Sequence, residues 1–196
     1  MNNDTLERAK LIKAVVLDGD GVIFPSQVLV ELDAEGNYKP MCQRRDHKGG
    51  QGISLLRAVE GVRFAFITAE TNGFAAALAG KLNRLPSVRS ANNPSGWAPI
   101  DVFAGPIGKN KVDTIGKWLT ECGLVWKECA YMGDDIGDAK IMDIVGLPTA
   151  PSDAEKIIKD RAKFISIRRG GEGAIRDLCN FVLDAKGVDP LTLELR

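Results

Sequence analysis

The feature that most constrains this chain is the stretch Ala14-Val15-Val16-Leu17-Asp18-Gly19-Asp20-Gly21-Val22. Four apolar residues run directly into two carboxylates separated by one glycine. A short β-branched run of this kind suits a strand buried on both faces. Its aspartates then fall just past the strand's carboxyl end, where open α/β sheets hold their ligands. Gly19 and Gly21 let the backbone turn sharply and approach a ligand closely. Neighbouring carboxylates repel each other and resist burial unless a cation or a shared proton offsets them. The bland alternative is an Asp-Gly turn that merely ends a strand. Against it, the partners that a charged site needs follow later in the chain, in order.

The 196 residues suit one domain over positions 1–196 with at most a small elaboration. With 44% hydrophobic and 27% charged residues, the chain is globular and can bury a sizeable core. Lysine plus arginine equals aspartate plus glutamate, 26 each, so nothing in the charge argues for nucleic acid or an acidic membrane surface. A local basic site for a phosphate is compatible with that balance. Cys42, Cys122, Cys129 and Cys179 have no zinc-finger spacing, and no secretory signal precedes them. No apolar run approaches the ~20 residues needed to span a bilayer. The expectation is a cytoplasmic protein with reduced thiols.

Residues 4–13 read as a polar lead-in. After the Asp-x-Asp-Gly turn, segments 27–33 and 38–42 read as two strands around a Gly-Asn turn. This β-hairpin, about 27–42, breaks the strand–helix alternation and is expected to project as a flap from the ligand edge. Two strands are marginal alone, so the flap should pack on something, another subunit included. Helical spacing follows over 52–59, a buried strand over 62–68 ending in Thr68, and a small-residue helix over 72–82. Residues 85–100 form a surface loop of unusual length, a reason to suspect function. The rest reads as a strand at 101–104, a helix at 111–122 closed by Gly123, and a strand at 129–132. Beyond these come a helix at 138–145, an edge strand at 148–150, a helix at 154–160, a last strand at 164–167 and a terminal helix at 173–183. The alternation predicts an α/β fold: a doubly wound, Rossmann-like parallel sheet with a β-hairpin flap and no large cap domain.

Four strand ends carry polar residues: Asp18 with Asp20, Thr68, a lysine near 111, and Asp134 with Asp135. In a parallel sheet these ends face one edge, so carboxylates, a hydroxyl and an ammonium should converge. Magnesium wants hard oxygen ligands and takes one or two carboxylates beside substrate phosphate oxygens. Asp18, Asp134 and the main-chain carbonyl of Asp20 would supply them. With its repulsion offset, Asp18 can attack phosphorus and form an aspartyl-phosphate. Asp20 is placed to protonate the leaving alkoxide and then to take a proton from water. Lys111 would neutralise phosphoryl oxygens, a role Lys109 could also fill. The Thr68 hydroxyl and the amides of Gly19 and Asp20 would donate to the same oxygens, and Asp138 would orient the metal shell from behind. The Gly133-Asp134-Asp135 turn could instead be a helix N-cap.

The ordered set resembles the haloacid dehalogenase superfamily of phosphohydrolases. Asp18-Gly19-Asp20-Gly21 matches its first motif, Thr68 its second, Lys111 its third and Gly133-Asp134-Asp135-x-x-Asp138 its fourth, over nearly the whole chain. Arg45-Asp46 followed by Gly52-Ile53 is similar to the Arg-Asp-Gly-x-Gly-Ile segment of the 3-deoxy-octulosonate 8-phosphate phosphatase family, with an insertion around His47. Segment 168–174, Arg-Arg-Gly-Gly-Glu-Gly-Ala, is similar to that family's C-terminal tail. The resemblance implies a capless homotetramer that hydrolyses phosphorylated 3-deoxy sugar acids with magnesium, its subunits covering one another's sites. Gly19, Arg45, Thr68, Ala69, Glu70 and Lys111 are the expected substrate contacts. The chain has Ala69-Glu70 where that family commonly has Gly-Arg, which looks closer to the related phosphatases of nine-carbon sugar acids.

Other readings compete. His47, the only histidine, suits a surface loop more than a substrate contact; Arg168-Arg169 suits either a carboxylate fork or a solvated pair; Trp97 suits a loop anchor more than a sugar-stacking surface. A signalling receiver domain also combines acidic residues, threonine and lysine, but it places its acidic pair on the first strand and its acceptor aspartate on the third. An idle, phosphatase-like assembly domain of sugar-nucleotide synthesis is the other alternative, as is a phosphatase for another small metabolite.

Overall fold

The computed structural model describes residues 3–59, 61–106 and 108–193, and the backbone alone of Lys109. The chain runs α1 (Asn3–Lys10), β1 (Ala14–Asp18), β2 (Leu29–Leu32), β3 (Tyr38–Cys42), α2 (His47–Arg57), β4 (Arg63–Thr68), α3 (Phe74–Asn83) and β5 (Asp101–Ala104). It continues through α4 (Lys109–Glu121), β6 (Cys129–Met132), α5 (Ala139–Met142), β7 (Leu147–Ala150), α6 (Lys156–Lys159), β8 (Phe164–Ile165) and α7 (Ala174–Ala185). Six strands form one sheet in the order β5-β4-β1-β6-β7-β8, with parallel pairings throughout, and β2 and β3 pair separately and antiparallel. The α/β fold with a hairpin flap is therefore what the alternation predicted.

Strand alternation divides the core in two. Val15, Leu17, Phe64, Phe66, Ala130 and Met132 face one side, where α2 and α7 cover them. Ala14, Val16, Ala65, Ile67, Cys129 and Tyr131 face the other, under Ile115, Trp118 and Leu119 of α4 and Ile141 of α5. The chain leaves β1 first toward β4 and β5, then returns across the sheet to β6. That reversal puts the carboxyl end of β1 at the topological switch point.

Several boundaries differ from the sequence reading, each for a physical reason. The lead-in is a helix whose Thr5 and Ala9 are buried. Helix α2 begins five residues early, capped by Asp46, whose side chain accepts from the Lys48 amide. Its glycines disguise it, but a Cβ on Gly52 would lie 3.2 Å from Arg176 Cα and from Cys179 Cβ of α7. Close helix contact thus outweighs the low helix propensity of glycine. Strand β7 is interior, not an edge. The Pro148 carbonyl accepts from the Lys163 amide at 2.8 Å, so the missing Pro148 donor faces two-residue β8, where little pairing is lost. The long loop lacks regular structure as expected and is anchored by Arg57, which donates to the Ala98 carbonyl at 2.6 Å and lies 5.6 Å from the Trp97 ring centre.

Candidate active site

The turn after β1 is built before any ligand arrives. The amides of Ile23 and Phe24 donate to the Gly19 carbonyl at 2.9 and 3.0 Å, closing residues 19–24 on themselves. Two glycines then allow neighbours to crowd in. A Cβ on Gly19 would lie 2.7 Å from Thr68 Oγ1, and one on Gly21, whose φ is 78°, would lie 1.9 Å from Asp134 Oδ2. Larger residues at either position would push the β4 hydroxyl or the β6 carboxylate away.

Asp18, Thr68, Lys111 and Asp138 are all buried at this edge. Lys111, in the first turn of α4, donates to Asp18 Oδ1 at 2.6 Å and to Asp138 Oδ1 at 2.8 Å. Lys109's side chain lies outside the described residues. Asp138 is saturated: Oδ1 also accepts from the Tyr131 hydroxyl at 2.6 Å, and Oδ2 from the Asp134 amide at 3.0 Å. It therefore fastens the lysine, the β6 strand and the Asp134 turn together. The capping reading also holds for part of that turn, since Asp135 accepts from the Ile136 amide.

Oxygens of Asp18, Asp134 and Asp138 lie within 4.8 Å of one another. Three carboxyls face one ammonium here, so with all three ionised their charge exceeds what Lys111 offsets. Burial, then the neighbouring Asp138 charge, raises the Asp18 carboxyl against the opposing pull of Lys111. Burial, then Asp18 and Asp138, pushes Asp134 up to about 8. Burial alone would lower the Lys111 ammonium, but Asp18 and Asp138 outweigh it and its pKa rises. An all-oxygen donor set with uncompensated charge fits a hard divalent cation, not a soft one. With Asp138 saturated, Asp18 and Asp134 are the side chains with capacity left for it.

A cavity of about 440 Å³ opens over these groups, lined by Asp18, Asp20, Thr68, Lys111, Asp134 and Asp138 among others. Ala69 and Glu70 also line it, and the Glu70 amide donates to Thr68 Oγ1 at 3.0 Å. Val28, Tyr38 and Pro40 of the hairpin form its outer wall, so the flap borders the site of its own chain. Arg45 does not line this cavity; it sits in a separate groove with Arg44, Asp46 and Glu172. Exposed His47 does not line it either, and borders a different groove. Arg168 pairs with Asp177 at 2.9 Å and Arg169 with Asp153 at 3.1 Å, so neither is a free carboxylate fork. Sequence reasoning missed Tyr131 and Gln43. Tyr131 carries the signal of a phenol on a buried strand beside an acidic turn; Gln43, which donates to Asp20 Oδ1, carries none.

No protein-family model matches the chain. It is 28% identical over 184 residues to the 3-deoxy-D-manno-octulosonate 8-phosphate phosphatase KdsC of Escherichia coli K12, covering 94% of this chain and 86% of that one. A solved structure from Legionella pneumophila, assigned to the haloacid dehalogenase superfamily (subfamily III A), is 30% identical, with a TM-score of 0.75 over 94% of this chain and 89% of the other. One from Pseudomonas syringae, assigned to the YrbI phosphatase family, is 28% identical, with a TM-score of 0.76 over 95% and 93%.

Proposed function

This chain belongs to the haloacid dehalogenase superfamily, and from that premise we propose that it is a magnesium-dependent phosphoric monoester hydrolase acting on a phosphorylated 3-deoxy sugar acid. The candidate substrates are an octulosonate 8-phosphate and a nonulosonate 9-phosphate. The observation that carries the reading is the meeting of Asp18, Lys111 and Asp134 at one buried strand edge, beside the exposed part of a cavity. A receiver domain would put its acceptor aspartate on a later strand; here the first strand carries it.

Asp18 and Asp134, with the Asp20 carbonyl, would hold magnesium, which when bound offsets the carboxylate charge and withdraws electrons from the phosphoryl group. Asp18 supplies an oxygen to phosphorus as the bond to the sugar oxygen breaks, giving an aspartyl-phosphate. Asp20 gives its proton to the departing alkoxide. It then takes a proton from the water that attacks phosphorus, releasing phosphate and restoring Asp18. Lys111, the Thr68 hydroxyl and the Gly19 amide stabilise the phosphoryl oxygens. Ala69 and Glu70 border the sugar; an acid at Glu70 disfavours a substrate carboxylate beside it and favours hydroxyls.

The protein works as one catalytic domain in a homotetramer. Arg45 stands outside the cavity of its own chain, so it reaches a substrate only from a neighbouring copy. Among the described residues no helix is long and apolar enough to cross a membrane; a cytoplasmic site of action agrees with four free cysteines.

The test is a phosphate-release screen over eight- and nine-carbon 3-deoxy sugar-acid phosphates, hexose phosphates and nucleotides, with Asp18→Asn as control. The sugar-acid phosphates should be turned over best, and Asp18→Asn should lose on the order of a thousandfold or more in kcat while keeping its fold. An active Asp18→Asn protein would refute the nucleophile; a preference for nucleotides would refute the substrate class.

A further inference from the structure

A general acid at the tip of a turn is useful only if its carboxyl is aimed. The backbone of residues 19–24 is closed on itself, but Asp20 is only half-buried and these backbone bonds do not hold its side chain. Gln43 reaches it from another element. Gln43 follows β3 directly, at the foot of the hairpin and three residues before the Asp46 cap of α2. Its amide Nε2 donates to Asp20 Oδ1, and both residues line the cavity.

An oxygen that accepts an amide hydrogen is the poorer place for a proton, because N–H and O–H would then compete for the same lone pairs. A protonated Asp20 therefore carries its proton on Oδ2, the oxygen turned away from Gln43. Resting on the phosphatase reading above, we propose that Gln43 is a positioning residue for the leaving-group step. It holds Asp20 so that Oδ2 presents its proton to the alkoxide. It also ties the aim of the acid to the hairpin, since any shift of β3 moves Gln43 and with it the Asp20 carboxyl. The chemical balance is that of the phosphatase step: the Asp18–phosphorus bond forms, the phosphorus–alkoxide bond breaks, and the Asp20 proton goes to the alkoxide oxygen.

Leaving groups separate positioning from structure. An alkoxide needs a proton as it departs, whereas p-nitrophenolate leaves without one. Single-turnover cleavage, with enzyme in excess, is measured for 3-deoxy-octulosonate 8-phosphate and for p-nitrophenyl phosphate, in the wild type, Gln43→Leu and Asp18→Asn. Aimed general acid catalysis is a contribution of about a hundredfold or more, and Gln43→Leu should lower the alkyl-to-aryl rate ratio by about tenfold. Gln43→Asn, which keeps an amide donor on a shorter arm, should recover part of that ratio. An unchanged ratio in Gln43→Leu, whether both rates fall together or neither does, overturns the positioning role. Asp18→Asn should be inert toward both esters. If it is not, or if the wild type cleaves neither, the phosphatase reading itself fails and this role fails with it.

Discussion

Asp134 is the residue whose charge depends most on what shares its cavity. Its ordinary carboxyl value is 3.8, and burial beside Asp18 and Asp138 lifts it to about 8. The folded, metal-free protein thus keeps a proton there that the unfolded chain gives up near pH 4. Its contribution to stability is fully present below that point, declines as pH rises toward about 8, and then levels off. A divalent cation must displace the proton, and any held by the raised Asp18 carboxyl, so magnesium should bind more tightly as pH climbs toward about 8, by about tenfold per unit for each proton displaced. The expected outcome is a larger magnesium-induced rise in thermal midpoint at pH 8 than at pH 6; equal shifts would mean that Asp134 is already ionised. That Asp18, Thr68, Lys111 and Asp134 meet at one edge was legible because residues following successive parallel strands must converge there. Tyr131 and Gln43 were not, since their roles arise only from contacts with Asp138 and Asp20 that no spacing reveals.

At the level of elements, the segment before α7 has a job that its sequence did not disclose. Arg168-Arg169 suggested a fork for a carboxylate, but both arginines are engaged with aspartates of their own chain. The glycines behind them are what touch the site. The Gly171 amide donates to the Val22 carbonyl at 2.9 Å, and a Cβ on Gly170 would lie 1.7 Å from the Gly21 carbonyl oxygen. The Asp153 carboxylate fixes this strap by accepting from the Gly170 amide at 2.9 Å. Backbone thus braces the turn that carries Asp18 and Asp20 from behind. Gly170→Ala must push one chain off the other, an overpacking cost of about 1–3 kcal/mol. The same turn carries Asp18, proposed above as the nucleophile, so kcat should fall by about a hundredfold, the usual penalty for a misplacement near 1 Å. Urea unfolding beside steady-state kinetics checks both. Normal kcat would show that the brace is not needed for aim. Glycine-rich α2 was misjudged at its start for a related reason: glycine reads locally as a breaker, yet here it permits close packing on α7.

For the molecule as a whole, the sheet was legible because most of its strands and crossover helices announce themselves over a few residues, whereas no local pattern says what the hairpin packs on. Leu32 is 71% exposed and Tyr38 61%, with Leu29 and Met41 open beside them. A two-stranded ribbon is at best marginal alone, and its free edges invite pairing. Burial of these side chains against other copies would supply the missing support, at about 25 cal/mol for each Å² removed from water. The same ribbon walls the cavity through Val28, Tyr38 and Pro40, so an assembly built on it would also set how open the site is. Charging the ribbon should therefore break two properties together. The double variant Leu32→Glu, Tyr38→Glu should sediment as a smaller species than the wild type at micromolar concentration. The sheet, which neither residue helps to bury, should keep its far-ultraviolet circular dichroism. Turnover should fall by about tenfold or more, because the flap and Gln43 at its foot lose their support. Wild-type sedimentation by that variant would place the subunit contact elsewhere. Dissociation with full activity would mean that one chain closes its site unaided.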